Sequence, residues 1–599
     1  MAKLRHLLTL ALAAALLIPL LPPGATRAQG DVVARLMAEM STAAKVGQLF
    51  LVTFPGSKVT DDAAITELIR DYHIGGVVLL PENGNIVNEG DTLTQVATLV
   101  GQLQETAWAA TRPLTETVTG TTTSPVPFIP LFVAVNHEGN GMPFTGILSG
   151  TTPLPSAMAL GATWNPAYAE AVGQIVGREL RALGINMLLG PSLDVLEMPN
   201  PASSGDLGGR SFGGDPFWVG QMGQAYIRGV HAGADGHIAV IAKHFPGLGA
   251  SDRSLDEEAP TVQRTLEKLR QIDLAPFFAV VQAEDTQARP DGILISHIRF
   301  RGLEGGRFVT TRPISVDSQA LQRLLGQPEL AGWRQAGGLT VSDGLGLRAL
   351  RRFYDPNETS FNGRRIAQEA FLAGNDLLLL SQFALTGSWD ERLANVKSTI
   401  TFFQEKYEAD PAFQAAVDAA VARILRLKLA LYGSPFRLSV VQPNLETPGE
   451  QIKPAQNQTT LAAIGRDAVT LLSPPSPDLV PDPPTPDDDI VIFTEGRQGQ
   501  PCATCAPVSY IDPQILQETI LRLYGPSATG PLNPRRIARL TFGRLEECLN
   551  ARPPRPTPTP AGEEESTPSL IPPNLSAMAV RYDDWISFAH LNNDANNPP

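Results

Sequence analysis

Eight short apolar runs between residues 49 and 380 constrain this chain more than any other feature. They occupy 49–54, 74–80, 131–136, 185–191, 238–242, 292–296, 339–342 and 377–380. Each has strand length and is flanked by Gly, Pro or polar residues, the pattern of a buried strand. Helical patterns separate several of them. In the clearest, Asn165 is the N-cap and Pro166 the first helical residue. Val172, Ile175, Val176, Leu180 and Leu183 then share one face, and Gly184 is the stop. Another runs over 364–373 and stops at Gly374. Strands that alternate with helices imply a parallel sheet. Eight of them in one stretch predict an α/β fold with a closed (β/α)8, TIM-like barrel over residues 31–433 and several long insertions, the Thr-rich stretch 111–123 among them.

The 599 residues are too many for one domain, and with 43% hydrophobic and 18% charged residues a large core is available. After a Gly-, Pro-, Gln- and Asn-rich linker at 434–457, residues 458–599 read as a smaller α/β sandwich domain, incomplete at its C-terminus. Residues 552–573 are a Pro-rich disordered insert. The net charge of -14 argues against nucleic acid or an anionic membrane surface as the main partner. Residues 1–30 read as a signal peptide: Lys3 and Arg5, an apolar run from Leu7 to Leu21, then small residues at 25–28. The chain is therefore expected to be exported, extracellular or in the cell envelope, with membrane contact only if that segment stays uncleaved. Cys502 and Cys505 lie between prolines, in a loop, where they can close a tight disulfide. With Cys548 they fall one ligand short of a zinc site.

Polar residues gather just after five of the runs: Asn136, His137 and Glu138 after the third, Ser192 and Asp194 after the fourth, Lys243 and His244 after the fifth, His297 and Arg299 after the sixth, and Asp343 after the seventh. In a barrel these ends converge on one face, where such enzymes do their chemistry. A single Asp there is usually a helix cap, but five such strand ends together are hard to explain as caps. The set contains neither a phosphate-cradling Gly loop nor the His spacing of a zinc hydrolase. Carboxylates, a Lys, an Arg and imidazoles suit a neutral polyhydroxy ligand, because sugars need many directional hydrogen bonds. Glycoside cleavage further needs carboxyl groups on either side of the anomeric carbon.

The motifs KVGQLF at 45–50, LPSAMALGAT at 154–163, GINMLLGPSLDV at 184–195, GRSFGGDP at 209–216, KHFPGLG at 243–249 and VSDGLG at 341–346 resemble glycoside hydrolase family 3, most closely its bacterial β-N-acetylhexosaminidase branch. The resemblance covers about residues 40–430. It implies retaining, two-step cleavage of a terminal β-linked sugar, often a GlcNAc, from an oligosaccharide or glycoconjugate, with no metal and no organic cofactor. It makes Asp343 the nucleophile and Arg210, Lys243 and His244 the binders of sugar hydroxyls; Asp194, close by, and His297, matching a histidine of the sixth strand end, are grouped with them as substrate-binding.

The chain departs from the branch in three places. Asn136 and Gly141 stand where the branch has Asp and Arg, so Asn136 would grip a hydroxyl through an amide. Leu248 replaces a common His. The Asp-Ser-His that carries the general acid/base is Ser254-Leu255-Asp256 here, without the histidine. A loop carboxyl raised in pKa by burial can donate a proton as a histidine does. Asp256 is favoured by position; Asp252 is the rival, but Arg253 beside it would lower its pKa, which argues against it as the acid. Glucosidase-type members take the acid from the second domain, where Glu495 and Glu546 are candidates. A β-glucosidase or β-xylosidase on the same scaffold, and a carbohydrate-binding protein with a dead site, are the alternatives.

Overall fold

The computed structural model describes residues 24–111, 127–139, 141–200, 203–301, 312–446, 449–471, 476–479, 482–494, 496–528, 530 and 532–550. Residues 1–23 of the expected leader, most of the stretch 111–123, the expected insert 552–573 and Glu495 lie outside the described residues. A helix, Gly24–Glu39, spans the expected leader boundary at residue 30.

Eight strands build the barrel: β1 (Phe50–Val52), β2 (Gly76–Val78), β3 (Phe132–Val135), β4 (Met187–Ser192), β5 (Ala239–Phe245), β6 (Gly292–Ile295), β7 (Leu339–Ser342) and β8 (Leu378–Leu380). Every expected run supplies one. The order is β8-β1-β2-β3-β4-β5-β6-β7, with all neighbours parallel. The ring closes through a parallel bridge between Val341 and Leu377, where the Ser342 N–H donates to the Leu377 carbonyl at 2.9 Å. Every strand residue is buried, because helices cover the outer face and side chains fill the lumen.

The helices obey their sequence signals. α1 (Pro166–Ala182) starts where the Asn165 side chain accepts the Ala167 N–H, and it buries Val172, Ile175, Val176 and Leu180. The expected stop, Gly184, has φ +76°, a conformation that side chains with a Cβ rarely adopt. α2 (Pro216–Gly233) is capped by Asp215 and crosses α1 closely. A Cβ on Gly229 would sit 2.1 Å from the Glu170 carbonyl oxygen of α1. The helix expected at 364–373 is observed as Gly363–Ala373. Behind β1, Phe403 packs edge-on against Phe50, Phe371 and Phe413 at 5.2, 5.7 and 5.3 Å.

The chain divides into two compact units: Met1–Thr470 with Pro501–Cys505, and Leu471–Gln500 with Ala506–Pro599. The stretch 434–457, read from sequence as a linker, belongs to the barrel unit, where Val441 and Ile452 are buried and Asn457 donates to the Thr152 hydroxyl at 2.8 Å. The second unit holds two parallel strands, Ile490–Thr494 and Ile537–Thr541, and the helix Pro513–Tyr524. Cys502 and Cys505 are disulfide-bonded.

Candidate active site

The strand ends converge as expected, with one difference at β5. That strand runs three residues past its apolar part, so Lys243 and His244 lie inside it. The extension is held by β4: Ser192 pairs with Lys243 after a register shift, and the Leu193 N–H donates to the Lys243 carbonyl at 2.6 Å.

Glu138, to which the sequence assigned no role, organises the floor of the site. The loop after β3 folds back on itself, with His137 bridged to Thr145 and the Glu138 N–H donating to the Phe144 carbonyl at 3.1 Å. This places the Glu138 carboxylate between two cations. Arg210 donates to it twice, through Nε at 2.7 Å and Nη2 at 2.9 Å, and Lys243 Nζ lies 2.5 Å away. Lys243 Nζ also donates to Asn136 Oδ1 at 2.9 Å, and the guanidinium of Arg210 lies 4.1 Å above the Phe144 ring. Burial alone would raise the Glu138 pKa. The Arg210 and Lys243 charges outweigh it and hold the carboxyl well below the usual carboxylate range. Burial presses the Lys243 ammonium below its ordinary value, and Glu138 draws it back. Buried charges persist only with such partners. The local sign of Glu138 in the sequence was a carboxylate between a buried-strand end and two glycines, Gly139 and Gly141. Its ion partners, 72 and 105 residues further on, could not be read there.

A second knot joins β4 to β5. Asp194, fully buried, accepts from the Ser192 hydroxyl (2.7 Å), from the Leu248 N–H (2.6 Å) and from His244, whose Nδ1 is 2.7 Å away. Burial would raise Asp194, but His244 and these donors hold it low. Arg210 Nη2 approaches His244 Nε2 at 3.4 Å. A guanidinium can only donate, so Nε2 is the acceptor and Nδ1 carries the proton toward Asp194. Leu248, which replaces a common His, thus contributes through its backbone. Asn136, Asp194, Arg210, Lys243 and His244 form one connected network, with Glu138 at its centre.

Asp343 follows β7. It is half-buried, and its Oδ1 accepts the Gly344 N–H at 2.8 Å. Its charge is felt by Arg210, Lys243 and Asp256. His297 is placed differently from the sugar-contacting role implied for it. It is fully buried, and both ring nitrogens are engaged, Nδ1 with the Ser315 hydroxyl at 2.7 Å and Nε2 with the Gly344 carbonyl at 2.9 Å. It therefore props the Asp343–Gly344 turn from beneath.

On the loop after β5, Asp252 is tied to Arg253 (3.0 Å) and to the Thr261 N–H (2.8 Å), and Glu258 is tied to Arg253 (2.8 Å). Asp256 is in no ion pair among the described residues and lies exposed at the rim. Although the residue as a whole is exposed, partial desolvation of its carboxyl raises its pKa first and the nearby Asp343 charge second, with Arg210 opposing. Glu546 sits on the helix Phe542–Asn550 of the second unit. The arrangement gives a floor of fixed donors and acceptors, a half-buried carboxylate in the wall and a second carboxyl on the rim that keeps its proton longer.

The model of the glycosyl hydrolase family 3 N terminal domain matches residues 41–427. Beta-hexosaminidase A of Pseudoalteromonas piscicida is 27% identical over 67% of this chain and 60% of its own length. A beta-N-acetylglucosaminidase/beta-glucosidase of Cellulomonas fimi is 31% identical over 66% of this chain and 58% of its own. The chain thus matches about 60% of the length of these relatives. The solved glycoside hydrolase family 3 beta-N-acetylglucosaminidase from Paenibacillus sp. str. FPU-7 superposes with a TM-score of 0.62 at 26% identity, over 85% of this chain and 82% of that one. Beta-glucoside phosphorylase BglX shares the fold, with a TM-score of 0.63 at 18% identity over 90% of this chain and 79% of that one. The match runs from ahead of the first barrel strand into the last barrel helix, and the chain belongs to glycosyl hydrolase family 3.

Proposed function

We propose that this protein is a retaining glycosidase that removes terminal β-linked sugars, with N-acetylhexosamine the preferred one. The observation that carries the reading is the pairing of Asp343, whose charge is felt by Arg210 and Lys243, with a second carboxyl, Asp256, whose pKa is raised above the ordinary carboxylate value. Two-step glycoside cleavage requires one carboxylate that attacks and a second carboxyl that supplies a proton.

In the first step the Asp343 carboxylate attacks the anomeric carbon and forms a glycosyl ester. The bond to the leaving oxygen breaks, and Asp256 passes its proton to that oxygen. In the second step Asp256, now a carboxylate, takes a proton from water. The resulting hydroxide attacks the anomeric carbon, the ester bond breaks and Asp343 is freed. Lys243, His244, Arg210 and Asn136 meet the sugar hydroxyls, while Asp194 holds His244 in its donor-accepting orientation and His297 holds the turn of Asp343. These groups sit on rigid strand ends, which keeps their geometry without reorganisation.

Asn136, an amide where the hexosaminidase branch has an acid, favours a second reading with altered sugar preference. The relative from Cellulomonas fimi bears both the glucosaminidase and the glucosidase name. A panel of aryl glycosides separates the two. Cleavage of the GlcNAc derivative is expected, and cleavage of the glucoside or xyloside alone would overturn the sugar assignment. A fluorinated glycosyl donor should label Asp343, and Asp343→Asn should lower kcat on the order of 10³-fold or more. Sugar binding without turnover or labelling would leave a carbohydrate-binding protein, the reading that the absent loop histidine favours. The N-terminal segment supports export, and N-terminal sequencing of the mature protein tests it: cleavage near residues 25–28 is expected, whereas an intact Met1 with membrane retention would mean an anchor.

A further inference from the structure

Residues 501–505 lie far along the chain from the barrel strands yet belong to the barrel unit. The Cys502–Cys505 disulfide closes them into a small knot, with both sulfur-bearing side chains buried. The knot is bonded to the loop after β2 at two points. The Ala503 N–H donates to the Pro81 carbonyl at 3.0 Å, and the Pro501 carbonyl accepts from Asn88 Nδ2 at 2.7 Å. Asn88 is fully employed. The same amide nitrogen donates to the Gly146 carbonyl at 3.0 Å, and its oxygen accepts the Leu148 N–H at 2.8 Å. Gly146 and its neighbours are the return limb of the loop that carries the sugar-site floor. The Gly146 N–H donates to the Asn136 carbonyl at 2.9 Å, Thr145 bridges His137, and the Phe144 carbonyl takes the Glu138 N–H.

We propose that Asn88 and the disulfide-closed knot 501–505 are positioning elements for the sugar subsite. They clamp the loop after β3 from behind, so that Asn136 and Glu138 meet Lys243 and Arg210 in one register. The inference rests on the glycosidase reading of the same site. A short irregular loop has many conformations, and the clamp restricts them through hydrogen bonds whose partners are fixed on other strands. Loss of the clamp therefore weakens sugar binding before it weakens chemistry, since Asp343 and Asp256 are carried by β7 and the loop after β5. The disulfide makes the clamp sensitive to reductant.

The test uses the full-length protein and an aryl β-GlcNAc substrate, comparing wild type, Asn88→Ala, Cys502→Ser/Cys505→Ser and the triple variant. KM should rise about 5- to 10-fold in each of the first two variants, as expected for one or two lost hydrogen bonds, with kcat within about twofold. The triple variant should be no worse than the worse of those two, because both act on one path. Dithiothreitol should raise KM in the wild type and leave the cysteine variant unchanged. Unaltered KM in an active Asn88→Ala protein would overturn the clamp, as would a fall in kcat and Tm with KM constant. If the wild type cleaves no aryl glycoside, the glycosidase reading fails, and calorimetric titration with free N-acetylglucosamine decides the clamp on its own: equal affinity in wild type and variants would end it.

Discussion

The floor of the site and its rim handle the same chemical group in opposite ways. Glu138, on the floor, is buried between Arg210 and Lys243, which hold its carboxyl well below the usual carboxylate range. Asp256, on the rim, has no ion partner among the described residues and keeps its proton longer than a free carboxyl. Glu138 sits on a hairpin pinned to strand ends, which hold two cations against it. Asp256 sits on a loop where partial desolvation first, and the like charge of Asp343 second, raise its proton affinity against the opposing Arg210. A carboxylate that must bind needs satisfied partners, and one that must donate a proton needs their absence.

Removing the floor charge is the strongest way to break this contrast. Glu138→Gln leaves Arg210 and Lys243 buried with one negative partner fewer, and should destabilise the fold by about 3–5 kcal/mol in urea or thermal unfolding. The sign with pH follows. The Glu138 carboxyl is held below its unfolded value of about 4.3, so its contribution is complete above that pH and is lost as pH falls toward the folded value. The variant should accordingly lose part of the acid-side dependence of stability.

The rim should respond in rate with little change in stability. Asp256→Asn should lower kcat about 10²-fold for a leaving group that needs a proton, far less for a dinitrophenyl leaving group that does not, and leave Tm nearly unchanged. In the wild type the rate should fall as pH rises past the raised pKa of Asp256, and that limb should vanish in the variant. Asp273 sharpens the test. It is fully buried beneath Gly247 and pushed up to about 7, by burial first and by Asp194 against the opposing Arg264. Asp273→Asn should keep the alkaline limb; if that substitution removes it and Asp256→Asn does not, the proton does not come from the rim.

The smallest effect belongs to the hydroxyl that supports Asp194. Ser192→Ala removes one of its donors, and should cost about 1 kcal/mol of stability with at most a modest rise in KM. A larger loss would mean that the two knots of the floor act as one.

Much of this was legible in the residues. The apolar runs gave all eight barrel strands, Asn165–Pro166 and Gly184 bracketed a helix, and the polar residues just after five strands named most of the network. Glu138 was listed at its strand end but given no role, because its partners lie 72 and 105 positions away. His297 was grouped with the sugar binders because strand-end position alone does not tell which way an imidazole turns. The end of β5 was placed too early because a lysine and a histidine break an apolar pattern, although backbone pairing with β4 continues through them.

The sequence by itself determined the alternation of strand and helix, and with it which chain positions reach the catalytic end of the barrel. That information is local, set by the period of burial and by capping residues, so it survives in a linear string. The tertiary structure alone decided which carboxyl is clamped and which is left to titrate. Proton affinity depends on the charges and the solvent within a few ångströms, and in this protein those neighbours come from other strands.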